Sequence, residues 1–110
     1  MIIFHNNRCS KSREALELLQ DNKCEIEIRD YLHLPPSKKE ITEILDMLHC
    51  KAFDIVRQNE PLFIEKYRDK KITNARWIDI LSKNPILIER PIIIDGEKAI
   101  VGRPVKLVID

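Results

Sequence analysis

The chain has 110 residues, of which 44% are hydrophobic and 34% are charged, and its formal net charge at pH 7 is +1. The length fits one globular domain over residues 1–110, and the near-even charge balance argues against a broad basic surface for nucleic acid. No apolar run is long enough to span a membrane, and we expect neither a membrane segment nor a signal peptide.

The three cysteines and three histidines are scattered along the chain. An odd number of cysteines without paired spacing argues against a secreted disulfide framework. The histidines are far from one another and no two cysteines are close in sequence, so we find no metal-site spacing. We therefore expect a cytoplasmic protein with no metal and no bound cofactor.

The N-terminal third predicts a strand, a helix and a second strand. Residues 2–4 form a short apolar run, about 10–21 have the pattern of an amphipathic helix, and 24–29 alternate with period two. This order is a βαβ unit, in which the two strands are parallel. Cys24 falls on the apolar face of the second strand beside Ile26 and Ile28, so we interpret it as a core residue.

The polar loop between the first strand and the helix carries the candidate nucleophile, Cys9. The first turn of a helix has unpaired N–H groups and a positive dipole end, which stabilise a thiolate and bind oxyanions. The flanking side chains are charged or polar and offer nothing apolar for a buried thiol to contact. Arg13, one turn further on, either leans back toward Cys9 or pairs with Glu17.

The middle of the chain, about 37–84, predicts a block of short helices. Ser37 and Glu40 form a capping box before an amphipathic helix. Further helices are expected over about 52–58, anchored by Phe53 and Val56, over 62–67, and from residue 73 or 74 to 84. The block contains no glycine and no linker, so we interpret it as an insertion within one domain.

The last strands are expected on either side of Asp95-Gly96, a strong signal for an antiparallel hairpin. Pro91, just before the first of these strands, is a candidate cis peptide. A short helix over 105–109 closes the chain. The element order predicts an α/β, thioredoxin-like fold: a mixed four-stranded sheet with a helical insertion between strands 2 and 3.

The loop sequence His-Asn-x-x-Cys-Ser-Lys-Ser-Arg resembles the active-site loop of the glutaredoxin-linked, ArsC-like arsenate reductases, which have the thioredoxin fold. The resemblance continues through Arg57 in residues 56–59, Arg90 in 84–92 and Arg103 in 101–104, and so covers nearly the whole chain. Asn7 stands where loops of the family commonly have proline.

The resemblance implies an oxidoreductase that reduces arsenate. Cys9 would attack arsenate at arsenic and form a covalent adduct. Arg57, Arg90 and Arg103 would be catalytic and substrate-binding residues, because the planar guanidinium suits tetrahedral oxyanions.

The resemblance also implies supporting residues and partners. His5, Ser12 and Arg13 would support the nucleophile, with His5 tuning its ionisation. Glutathione would be the co-substrate that attacks the adduct, and glutaredoxin would resolve the mixed disulfide. No second protein cysteine is then required, and the chain is expected to act as a monomer.

Three alternatives can be compared with this interpretation. A phosphatase-like arsenate reductase needs an arginine six residues after the cysteine, and that position is Ala15. An Spx-type transcriptional regulator uses a C-x-x-C switch, which Ser12 prevents. A glutathione-dependent thiol reductase of unknown substrate would use the same Cys9, and the sequence does not separate it from an arsenate reductase.

Overall fold

The computed structural model describes residues 1–6, 8–21 and 25–101. The chain divides into two compact units, one containing Met1–Leu34 and the chain from Arg90 onward, the other Pro35–Glu89. The predicted insertion, about 37–84, falls inside the second unit. A single domain over residues 1–110 stays a prediction.

The first unit is built on a four-stranded mixed sheet in the order β2-β1-β3-β4. Strands β1 (Ile2–His5) and β2 (Glu27–Asp30) are parallel and are connected by helix α1 (Ser10–Asp21). Strand β3 (Ile92–Asp95) is antiparallel to both β1 and β4 (Lys98–Val101). The predicted βαβ unit, hairpin and fold class are confirmed.

One face of this sheet packs against α1. The core here consists of Ile3, Ala15, Leu19 and Ile93, with Leu16 and Leu18 partly buried against it. Of the two isoleucines on the predicted apolar face of this segment, Ile26 is partly buried against the core, whereas Ile28 has an exposed fraction of 50%. A period-two pattern gives the face of a strand but not the position of the strand in the sheet, and β2 is an edge strand.

Two sequence predictions for this unit lie outside the described residues. These are the placement of Cys24 in the core and the closing helix over 105–109. The turn between β3 and β4 is described, and Gly96 has φ 63°, the left-handed conformation that glycine adopts without steric cost.

The second unit is helical. It contains α2 (Lys38–Leu48), a 3₁₀ helix (Ala52–Ile55), α3 (Pro61–Lys66), α4 (Asn74–Lys83) and a second 3₁₀ helix (Pro85–Leu87). The predicted capping box is confirmed, because the Ser37 hydroxyl accepts from the Glu40 N–H and the Glu40 carboxylate accepts from the Ser37 N–H. No helix among the described residues is both long and apolar enough to cross a membrane.

The helix predicted over 52–58 is wrong in its length. It ends at Ile55, because Val56 forms an antiparallel bridge with Ile88 and the Arg57 N–H donates to the Leu87 carbonyl at 2.7 Å. Phe53, predicted as an anchor, has an exposed fraction of 43%, although its ring contacts Trp77 at 5.8 Å. A pairing partner distant in sequence decides where this helix stops.

Candidate active site

The candidate site lies at one end of the sheet, beyond the last residues of β1 and β2, and the strand register explains why. His5, the last residue of β1, is opposite Asp30, the last residue of β2. Phe4 is opposite Ile92, the first residue of β3. Three segments therefore meet at this end of the sheet: those that follow β1 and β2, and the one that precedes β3.

The loop after β1 places Cys9 at the N-terminus of α1. The Cys9 N–H donates to the Asn6 carbonyl at 3.0 Å, and the Cys9 carbonyl accepts from the Arg13 N–H at 3.0 Å. The Asn6 side-chain oxygen also accepts from the Arg8 N–H at 2.9 Å. Cys9 therefore occupies the capping position, with the free N–H groups of the first turn directed toward it.

The thiol of Cys9 is half-buried and its pKa is lowered. Burial raises the pKa, but the Ser12 N–H, the hydrogen bond and charge of Arg90, and the Lys11 N–H together outweigh it. Since the thiolate is the nucleophilic form, this environment raises the reactive fraction at neutral pH.

Among the described residues, Arg90 is the cation that hydrogen-bonds to the sulfur. Its exposed fraction is 8%, and it hydrogen-bonds to Cys9. Burial lowers the pKa of the guanidinium, but Cys9 and Tyr31 outweigh burial, so the pKa is raised and the charge is retained. The Arg90–Pro91 peptide is cis, as its sequence position suggested.

His5 and Ser12 form a buried network beneath the loop, with exposed fractions of 4% and 0%. The Ser12 hydroxyl lies 2.7 Å from Nδ1 of His5 and accepts from the Asn6 N–H at 3.0 Å. The network joins the end of β1 to the first turn of α1, and so fixes the turn whose Ser12 N–H reaches the sulfur. The predicted supporting roles of His5 and Ser12 in catalysis stay predictions.

Three further residues, Arg13, Arg57 and Arg103, were predicted to belong to the site. Arg13 is exposed, and no hydrogen bond or ion pair joins its guanidinium to another described residue. Arg57 belongs to the second unit, where its Nε donates to the Glu60 carboxylate at 3.1 Å. Arg103 lies outside the described residues. The roles predicted for these three arginines stay predictions.

Tyr31 was not predicted and lies directly at the site. It is fully buried, its ring stacks on Phe4 with centroids 6.2 Å apart, and Nη1 of Arg90 donates to its hydroxyl at 3.5 Å. The signal in the sequence was its position, immediately after the second of two parallel strands. Residues at that position lie at the same end of the sheet as the loop that follows the first strand.

Metal binding has no support in the described part of the chain, where no group of three His, Cys, Asp or Glu side chains lies close enough to hold an ion. The described groups that lower the pKa of Cys9 are N–H and guanidinium donors. Such a set binds an anion and stabilises a thiolate.

Comparison with known proteins places this chain in a family. Residues 4–108 match the ArsC family. An arsenate reductase of Neisseria meningitidis serogroup A is 38% identical over 106 residues, which cover 94% of this chain and 91% of the relative. An Escherichia coli protein described as uncharacterized is 38% identical over 110 residues, covering 98% and 92%.

A solved structure, the arsenate reductase from Vibrio cholerae, superposes with a TM-score of 0.92 at 32% identity, covering 98% of this chain and 93% of that one. The family match covers both the loop that holds Cys9 and the segment that holds Arg90. The chain belongs to the ArsC family.

Proposed function

We propose that the protein is an arsenate reductase in which the Cys9 thiolate is the nucleophile, glutathione the co-substrate and glutaredoxin the partner. Arsenate reductases among its relatives support the substrate class. The observation that carries the proposal is the half-buried sulfur of Cys9, with its pKa lowered by the Ser12 N–H and the Arg90 guanidinium against the opposing effect of burial.

The first step forms a bond between Cys9 sulfur and arsenic. The thiolate attacks arsenate, one As–O bond breaks, and the departing oxygen leaves as water after protonation, so arsenic stays As(V). The donors that stabilise the thiolate also suit the oxyanion. Arg90 presents a planar fork of N–H groups, which matches two oxygens of a tetrahedral anion better than an ammonium does.

The second step transfers two electrons to arsenic. A glutathione thiolate attacks the Cys9 sulfur, an S–S bond forms, and the S–As bond breaks with its electron pair on arsenic, which leaves as arsenite, As(III). A glutaredoxin thiol then reduces the Cys9–glutathione disulfide and returns Cys9 to the thiolate. This cycle consumes reduced glutathione, as expected in a reducing, cytoplasmic setting.

An external thiol is favoured because Cys50, the other described cysteine, is a poor attacking group. Burial and the Asp54 carboxylate both raise the pKa of its thiol. A thiol with a raised pKa is less ionised at neutral pH and reacts more slowly. We therefore expect the double variant Cys24→Ser/Cys50→Ser to keep its arsenate reductase activity.

The test is arsenate-dependent oxidation of NADPH in the presence of glutathione, glutaredoxin and glutathione reductase. The wild type and the double variant are expected to be active, and Cys9→Ser to be inactive because a serine hydroxyl stays protonated at neutral pH. Loss of turnover on omitting glutaredoxin supports the partner. Substantial activity in Cys9→Ser would contradict the nucleophile.

A parallel assay with a glutathione mixed disulfide as substrate separates the alternative reaction. Activity with arsenate supports the proposal. Activity with the mixed disulfide alone would instead assign the protein to the glutathione-dependent thiol reductases, which require the same thiolate but no oxyanion site.

A further inference from the structure

We infer that Tyr31 is a positioning residue that holds the Arg90 guanidinium against the sulfur of Cys9. This inference deepens the proposed function, because it concerns the same thiolate. Its main test is made without arsenate, so the two can fail separately.

The position of Tyr31 is fixed by the sheet itself. Its ring stacks on Phe4 of β1 at an interplanar angle of 17°, and the Arg29 guanidinium lies 5.3 Å from the centre of the Phe4 ring. Tyr31 is fully buried and Phe4 is 2% exposed. The phenol oxygen is therefore held in place by packing and needs little ordering when Arg90 approaches.

The guanidinium of Arg90, in contrast, is at the end of a long side chain with considerable rotamer freedom. Its Nη1 donates to the Tyr31 hydroxyl at 3.5 Å, and it also bonds to Cys9. Acceptors in two different segments, Tyr31 and Cys9, fix the orientation of the planar guanidinium. A single acceptor would leave the guanidinium free to rotate about that one hydrogen bond. The Tyr31 contact also favours the charged form of Arg90, whose pKa it helps to raise after burial has lowered it.

Removing the hydroxyl should therefore weaken the interaction between Arg90 and Cys9 without disturbing the stack. Without it, Nη1 loses an acceptor at a site where Arg90 is only 8% exposed. A buried donor without a partner is costly, and we expect the guanidinium to turn toward water. The thiolate then loses part of its stabilising charge, and the thiol becomes a weaker acid.

The experiment is the pH profile of Cys9 alkylation by iodoacetamide in the Cys24→Ser/Cys50→Ser background. Tyr31→Phe is expected to slow alkylation by roughly two- to fivefold at pH values where the thiol is mostly protonated, within the range for one lost hydrogen bond. At high pH, where every thiol is ionised, the variant and the parent should react equally fast. General structural damage would instead change the rate at all pH values. Either that result or an unshifted profile would overturn the inference.

Two further comparisons sharpen the test. Tyr67→Phe is the matched control, because Tyr67 also makes an aromatic contact, 5.5 Å from the Trp77 ring, but its hydroxyl is not among the described hydrogen-bond partners of Arg90. It is expected to leave the profile unchanged, and a shift equal to that of Tyr31→Phe would overturn the inference. Adding Tyr31→Phe to Arg90→Lys should cause little further change, because Tyr31 acts through Arg90, and fully additive shifts would contradict that route.

Arsenate kinetics provide the link to the proposed function. In an active wild type, Tyr31→Phe should raise the KM for arsenate, and the rise should largely disappear in the Arg90→Lys background. If the wild type does not reduce arsenate but the alkylation profile still shifts, the proposed function fails and the role of Tyr31 stands.

Discussion

Replacement of Arg90 tests the central electrostatic argument, and the series Arg90→Lys and Arg90→Gln separates its two parts. Lysine keeps the charge but loses the planar fork that bonds both Cys9 and Tyr31. Glutamine loses the charge as well. We expect the fraction of Cys9 thiolate at a fixed pH below the thiol pKa to fall in the order Arg, Lys, Gln.

The magnitude follows from the exposure of the sulfur. Two unit charges 4 Å apart interact by about 4 kcal/mol at an effective dielectric constant of 20. Cys9 is only half-buried, so solvent screening reduces the charge contribution to about 1 kcal/mol, near the upper range for exposed pairs. A lost hydrogen bond to a charged group adds about 0.5–1 kcal/mol after the same discount. Arg90→Gln should therefore reduce the thiolate fraction roughly ten- to thirtyfold, and Arg90→Lys roughly two- to fivefold.

The assay is iodoacetamide alkylation against pH in the Cys24→Ser/Cys50→Ser background, with the free energy of unfolding measured for each variant. The comparison variant is Arg13→Gln, which removes the same charge four residues after Cys9, from a side chain with no hydrogen bond or ion pair to another described residue. We expect it to change the rate less than twofold. Equal effects of Arg13→Gln and Arg90→Gln would refute a specific contact between Arg90 and Cys9. The thiolate would then respond only to the total positive charge near it.

Three other predictions concern stability and pH. Leu19→Ala should lower the free energy of unfolding by about 2–5 kcal/mol in urea denaturation, because Leu19 is 1% exposed, whereas Leu34→Ala, at a position 65% exposed, should change it by less than about 0.5 kcal/mol. Ser37→Ala should cost about 1 kcal/mol through loss of the capping box, and an unchanged denaturation midpoint would contradict this. Folding lowers the Cys9 pKa, so the thiolate stabilises the folded state above the unfolded pKa, and this stability is lost as the pH falls through the folded pKa. The free energy of unfolding of Cys9→Ser should therefore fall further below that of the wild type as the pH rises. A difference that stays constant with pH would contradict this.

Features encoded by neighbouring residues could be predicted from the sequence. Helix α1 begins and ends where its amphipathic pattern does, and the capping box before α2 is formed as Ser37 and Glu40 indicate. The left-handed turn at Gly96 follows from the hairpin signal. In each case the residues that determine the structure lie within a few positions of one another.

Features that depend on distant partners could not be predicted from local spacing, and Arg90 was named only through the family resemblance. Local spacing suggested Arg13 as the cation beside Cys9, because a residue one helical turn away is the nearest candidate. The structure places Arg90 there instead, through the antiparallel register of Phe4 and Ile92. Tyr31 was missed for the same reason, since its contact partner Arg90 lies 59 positions later in the sequence.

The two sources of thiolate stabilisation differ in how they respond to a second anion. The N–H groups of Lys11 and Ser12 are dipoles already oriented by α1, and they carry no net charge. An arriving arsenate is repelled by the thiolate it must approach, and a full positive charge offsets that repulsion more strongly than these dipoles do. Arg90 is the described group that supplies it. One guanidinium balances a single negative charge, however, while the thiolate and the oxyanion together carry at least two. We therefore expect the reacting complex to need further cations, which is the role that the family resemblance predicts for Arg57 and Arg103.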